Sequence, residues 1–174
     1  LIIIVVLFCS FSYAQRASAE FITSYAPGKL ETGEQVNDGI QNLFYKDGRL
    51  YVSNVWAGLQ ILDVSAITKP VEIGAYRVKA RTHNVYVDDQ YVYLANELSG
   101  VSILDASTPA ATRLVSTIQT IGDAFWVVAK YPFLYVAEET HGINIYDITN
   151  LAAPQHIGGY DTPCLLYTSD AADE

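Results

Sequence analysis

Few side chains on this chain could do chemistry, and they are scattered. Glu138-Glu139-Thr140-His141 is the densest run of metal-ligand types. Carboxylate oxygens there suit Ca²⁺ and an imidazole suits a transition metal; the alternative is an acidic, solvated loop. Trp56 offers an aromatic face for binding or for packing. His83, Asn84, Asn96, Glu97 and Trp126 complete the set of candidate ligand-binding residues with Glu138, Glu139 and His141. None lies in a catalytic pattern: there is no His-Glu-x-x-His, no Gly-x-Ser-x-Gly, no Walker loop and no Cys/His zinc spacing. No catalytic residue, metal or cofactor is expected, with Ca²⁺ or a transition metal at 138–141 as the one alternative.

A repeat is what could bring these residues together. Leu59-Gln60-Ile61-Leu62-Asp63 returns as Val101-Ser102-Ile103-Leu104-Asp105 and as Ile143-Asn144-Ile145-Tyr146-Asp147. The preceding glycine stands at Gly58, Gly100 and Gly142, and an upstream tyrosine at Tyr51, Tyr93 and Tyr135, each set 42 apart. An ungapped period of about 40–45 points to propeller blades. The expected fold is all-β: a partial β-propeller of about three four-stranded blades.

Within the first repeat, Leu43-Phe44-Tyr45 and the stretch from Leu50 to Ser53 read as strands joined by a hairpin turn at Asp47-Gly48. The marker strand Leu59 to Val64 and a fourth strand, Val71 to Tyr76, follow. The second repeat turns at Asp88-Asp89-Gln90 and the third at Lys130-Tyr131-Pro132. No window carries helical apolar spacing, so no substantial helix is expected. Val92-Tyr93-Leu94-Ala95 and Leu134-Tyr135-Val136-Ala137 are apolar throughout, as in strands buried on both faces. The aspartates at 63, 105 and 147 precede Val-Ser, Ala-Ser and Ile-Thr, which suits a carboxylate accepting backbone N–H bonds within a turn.

Strands alternate direction within a blade. The loops between second and third strands therefore share one end of the ring with the blade-to-blade connections. That end would gather Asn54, Trp56, Asn96, Glu97, Glu138, Glu139 and His141, with His83, Asn84, Asp123 and Trp126 from the connections. His83 and Trp126 are placed beside the innermost strands, at the mouth of the channel.

The ends are different in kind. Residues 1–14 form an apolar run closed by Ser12-Tyr13-Ala14, the pattern of a secretory signal peptide whose start lies upstream. Residues 15–41 are a lead-in segment in which Phe21 to Tyr25 reads as a ring-closing strand. Residues 42–163 carry the three blades. Residues 164–174 break the period and look non-native, so the natural protein is expected to continue past about Pro163. Without residues 1–14 only Cys164 remains, too few for an internal disulfide. A net charge of −9 argues against nucleic acid, whose phosphates it would repel.

The marker strand closed by Asp, the Tyr-led strand before it and the Pro-x-x-Ile-Gly-x-Tyr strand at Pro70 to Tyr76 and Pro154 to Tyr160 resemble the LVIVD-repeat family. The resemblance covers about 21–162. It departs at the polar second marker residue (Gln60, Ser102, Asn144) and at Thr112, where the proline is missing. The Gly-His and Trp-Asp pairs of WD repeats are absent. The resemblance implies a bacterial or archaeal exported β-propeller without established enzymatic activity. The expected function is a non-enzymatic scaffold, in the periplasm, at the cell surface or secreted, that binds an unknown protein or glycan. The mature chain has no membrane span in this reading. The alternative is a fragment of an exported propeller hydrolase or lyase with an axial metal or acid–base site. Three blades alone should also leave one apolar sheet face uncovered.

Overall fold

A computed structural model of the chain describes residues 39–162. The leader at 1–14, the strand expected at 21–25 and the tail at 164–174 lie outside the described residues. Blade one comprises β1 (Ile40–Lys46), β2 (Arg49–Asn54), β3 (Gly58–Asp63) and β4 (Val71–Tyr76). Blade two comprises β5 (Asn84–Asp88), β6 (Tyr91–Ala95), β7 (Val101–Asp105) and β8 (Arg113–Ile118). Blade three comprises β9 (Ala124–Lys130), β10 (Phe133–Glu138), β11 (Gly142–Asp147) and β12 (Gln155–Tyr160). Each sheet is antiparallel with its strands in chain order. Among the described residues the helical structure is one 3₁₀ turn, Pro109–Ala111. The three-blade plan therefore stands, with blade one beginning at Ile40, two residues ahead of the expected start.

Local chemistry builds each blade in the same way. Asp47 and Gly48 both take positive φ, 50° and 76°, the geometry that matches a two-residue hairpin to strand twist. Gly58, Gly100 and Gly142 open the marker strands at φ of 77°, 68° and 65°. A Cβ at any of them would run into the carbonyl of Tyr76, Ile118 or Tyr160, residues that are themselves one period apart. The three aspartates close their strands alike. Oδ1 of Asp63, Asp105 and Asp147 accepts the N–H two residues on, from Ser65, Ser107 and Thr149, at 2.9, 3.0 and 2.8 Å.

The core lies between sheets, in two layers. Tyr51, Leu59 and Ile61 of blade one meet Val85, Val87, Val92, Leu94 and Leu104 of blade two. The opposite face of blade two carries Tyr93, Val101 and Ile103. These meet Val127, Leu134, Val136 and Tyr146 of blade three. Blade two is thus the filling of the sandwich, and Val92 to Ala95 is buried at every position, as expected. The blade edges interlock too. Gly74 lets the Pro109 carbonyl come close where a Cβ would clash, and one period on Ser116 Oγ donates to the Leu151 carbonyl.

Blade three departs from the expectation of strands buried on both faces. Leu134 and Val136 are fully buried, but Tyr135 is 37% exposed. Trp126, Val128, Phe133 and Ile143 share that open face. The sequence of β10 is that of a doubly covered strand, but among the described residues no sheet covers its second side. The expected uncovered apolar face is thus present, on blade three.

Hydrogen bonds from the hydroxyl and then the N–H of Ser65 hold the Asp63 carboxyl below its usual 3.8. Asp105 is lowered first by the N–H and then the hydroxyl of Ser107, and Asp147 first by the hydroxyl of Thr149. A carboxyl whose pKa falls on folding adds stability above its unfolded pKa, and that stability fades as pH drops through the folded value. Asparagine keeps the N–H acceptor but does not titrate. Converting all three aspartates to asparagine should therefore flatten the loss of stability between about pH 5 and about pH 2, measured by urea unfolding across that range. The open face generates a second expectation. Tyr135→Lys with Ile143→Lys should raise the monomer fraction in light scattering while shifting stability by only about 0.5 kcal/mol.

Candidate functional site

The candidate residues divide by which way their side chains turn. Asn54, Asn96 and Glu138 stand one period apart where the second strands end, and all three are buried. Asn54 Oδ1 accepts the N–H groups of Trp56 and Ala57, both at 3.2 Å. Asn96 donates to the Leu94 carbonyl at 3.1 Å and Ser102 Oγ at 2.9 Å, and accepts from Thr82 Oγ1 at 2.8 Å. The Glu138 carboxyl accepts the Gly122 N–H at 2.7 Å and the Tyr146 hydroxyl at 3.1 Å. Burial, and then the Glu138 charge, push the Tyr146 phenol above its usual range. One repeat position thus braces the loop in every blade.

Asn84 is also spent on structure. It is buried on β5, and its Oδ1 accepts the Val127 N–H of blade three at 3.1 Å. A backbone seam runs alongside. The Thr82 N–H donates to the Val55 carbonyl at 3.0 Å, and one period on the Ala124 N–H donates to the Glu97 carbonyl at 3.1 Å.

Glu139 and His141 remain on the loop end. The Glu139 N–H donates to the Asp123 carbonyl at 3.1 Å, and the exposed His141 holds its ring Nδ1 2.9 Å from Thr140 Oγ1. With Glu138 turned inward, 138–141 does not converge on a metal. Among the described residues no three His, Cys, Asp or Glu side chains do so. Trp126 is a residue of β9 itself rather than of the connection, and it lies on the open face of blade three, 47% exposed.

The remaining candidates meet. Glu97, in the left-handed region at φ 46°, points its carboxyl at two cation-forming side chains. His83 Nε2 lies 2.6 Å from Glu97 Oε1 and Arg81 Nη1 lies 3.1 Å from the same oxygen. The Arg81 guanidinium sits 5.6 Å above the Trp56 ring. The His83 ring lies tilted against that of Phe125, at the start of β9, with ring centres 4.6 Å apart. Trp56, Arg81, His83, Glu97 and Phe125 therefore form one partly exposed cluster over the blade junctions. Arg81 and Phe125 were not singled out from sequence. The available signal was the period itself: Arg81 and His83 stand where the next repeat has Asp123 and Phe125.

The LVIVD repeat profile matches residues 42–78, 80–120 and 121–162. The chain belongs to the LVIVD-repeat family. The three matches coincide with the three blades. No curated protein matches the chain. Among solved structures it is similar to the computationally designed Ika4 protein, with TM-score 0.59, 9% identity, 72% of this chain and 74% of that chain covered. It also aligns with the N-terminal domain of Nup159, with TM-score 0.48, 14% identity, 79% of this chain and 34% of that chain covered. At these identities the likeness to Ika4 concerns fold alone, and the chain spans about a third of the Nup159 domain.

Glu138 gives this site its sharpest structural expectation. Glu138→Ala leaves a buried N–H and a buried hydroxyl without partners, so it should cost about 1–3 kcal/mol in urea unfolding. Glu139→Ala, one residue on, should cost less than about 0.5 kcal/mol.

Proposed function

We propose that this LVIVD-repeat chain is part of an exported, non-enzymatic propeller that recognises a protein or glycan with the loop end of its blades. The observation that carries the reading is the cluster at the junction of blades one and two. Trp56 and Arg81 are about half exposed, at 49% each, while Glu97 below them holds the guanidinium in place. A half-exposed tryptophan capped by a fixed arginine is the kind of anchor pair that dominates recognition surfaces, because little side-chain freedom is left to lose. The rigid blades supply the backing. The apolar leader at 1–14 supports export to the periplasm, the cell surface or the medium.

One observation favours a second reading. His83 and Glu97 are 2.6 Å apart, each under 20% exposed, beside the innermost strand β5. A histidine oriented by a carboxylate is a general acid–base arrangement, which an exported propeller hydrolase or lyase would use.

Screening the chain against arrays of envelope glycans and peptides tests both. In the recognition reading, Trp56→Ala and Arg81→Ala each weaken the ligand found by about thirtyfold, or about 2 kcal/mol. In the enzyme reading the ligand is turned over, and His83→Ala abolishes turnover while leaving binding within about twofold.

A further inference from the structure

A groove of about 460 Å³ lies between blades one and two, outside the cluster just described. Its cationic side chains are Arg77 and Lys79, from the connection that leaves β4. Both are exposed, and among the described residues neither forms an ion pair. Among the described residues no Asp or Glu lines the groove, although acidic residues outnumber basic ones by 19 to 10 in the chain. The carboxyl nearest in sequence, Glu97, is turned to Arg81 and His83.

The apolar wall is as unusual as the charge. Leu98, 84% exposed, and Leu114, 45% exposed, face the groove with Tyr76, while the hydroxyl of Thr117 supplies a hydrogen-bonding group. The internal repeat provides a control. The junction between blades two and three has the same backbone plan. It carries Gln119 and Ile121 where Arg77 and Lys79 stand, and Thr140 and His156 where Leu98 and Leu114 stand. The fold accepts neutral side chains at these positions, so packing does not demand the two cations.

We propose that this groove binds an acidic oligosaccharide, with carboxylates paired to Arg77 and Lys79. The arginine fork takes a carboxylate through two parallel N–H bonds, and the lysine adds a point charge. Tyr76 and Leu98 cover the C–H face of a sugar ring, and Thr117 meets its hydroxyls. A volume of about 300–1,000 Å³ is the usual scale for a small-ligand site, which suits two or three sugar units. This deepens the recognition reading and rests on it, since the groove opens at the same loop end.

The test is calorimetric titration of the full chain with tri-galacturonate, a neutral trisaccharide of the same linkage and tri-glutamate. Tri-galacturonate should bind, more weakly as salt rises from about 50 mM to about 500 mM, and the other two should bind at least about tenfold more weakly. Arg77→Gln with Lys79→Ile installs the residues of the second junction. It should reduce tri-galacturonate affinity by about tenfold or more with an unchanged unfolding midpoint. Equal binding of the neutral sugar, tighter binding of tri-glutamate, or full affinity in the double variant would overturn the proposal. If tri-galacturonate fails but another ligand depends on Trp56 and Arg81, the recognition reading survives and the acidic-sugar proposal falls. If no array ligand depends on Trp56 or Arg81, the recognition reading fails by itself.

Discussion

Apolar contact between successive sheets is the constraint on which the rest depends. A four-stranded blade has two faces and cannot cover either of them alone. Leu59 and Ile61 become core only because Val85 and Leu94 stand opposite, and Ile103 only because Val127 and Val136 do. This is nearest-neighbour stability, in which each unit is completed by the next. It also accounts for the difference between β6 and β10. Their sequences are nearly alike, yet β6 is buried from Val92 to Ala95 while β10 alternates between buried and more exposed positions.

Polar residues then keep the sheets in register. The backbone groups at the blade junctions must find partners once they are removed from water. The seam from Thr82 to Val55, repeated from Ala124 to Glu97, answers that need, and so do the buried side chains at 54, 96 and 138. The second marker residue, polar in all three copies, has a similar task. Gln60 reaches Glu72 at 3.1 Å across to β4, and Asn144 meets His156 at 2.9 Å across to β12. What looks in sequence like a departure from an apolar consensus is thus a pair of cross-strand links two periods apart, in the first and third blades.

Much of the fold was legible because its determinants are local. A turn needs a positive-φ residue, a strand end needs an acceptor for the N–H and hydroxyl of the residue two further on, and a doubly covered strand needs an apolar residue at every position. The glycines, the aspartates and Val92 to Ala95 met those demands within a few residues of chain. The site was less legible. Asn84, Asn96 and Glu138 have the side chains of ligand-binding residues but serve as braces, because the ends of their strands fold inward over the next blade. The useful signal lay in comparing repeats. Polar residues that recur at one repeat position serve the scaffold, whereas Arg77, Lys79 and Arg81 occur in one junction and have no cationic counterpart in the other.

The amino-acid sequence by itself determined the number of described blades, their strand order and their turn chemistry, since a repeat of 42 residues states those demands three times over. Only the tertiary structure decided which polar groups face water. It brought Trp56 and Glu97, from two different loops, and Phe125, from β9, around Arg81 and His83, and it opened a cationic groove between two sheets. The physical reason is one of range. Strands and turns are settled by neighbours along the chain, whereas a side chain at a blade junction takes its direction from a sheet about forty residues away.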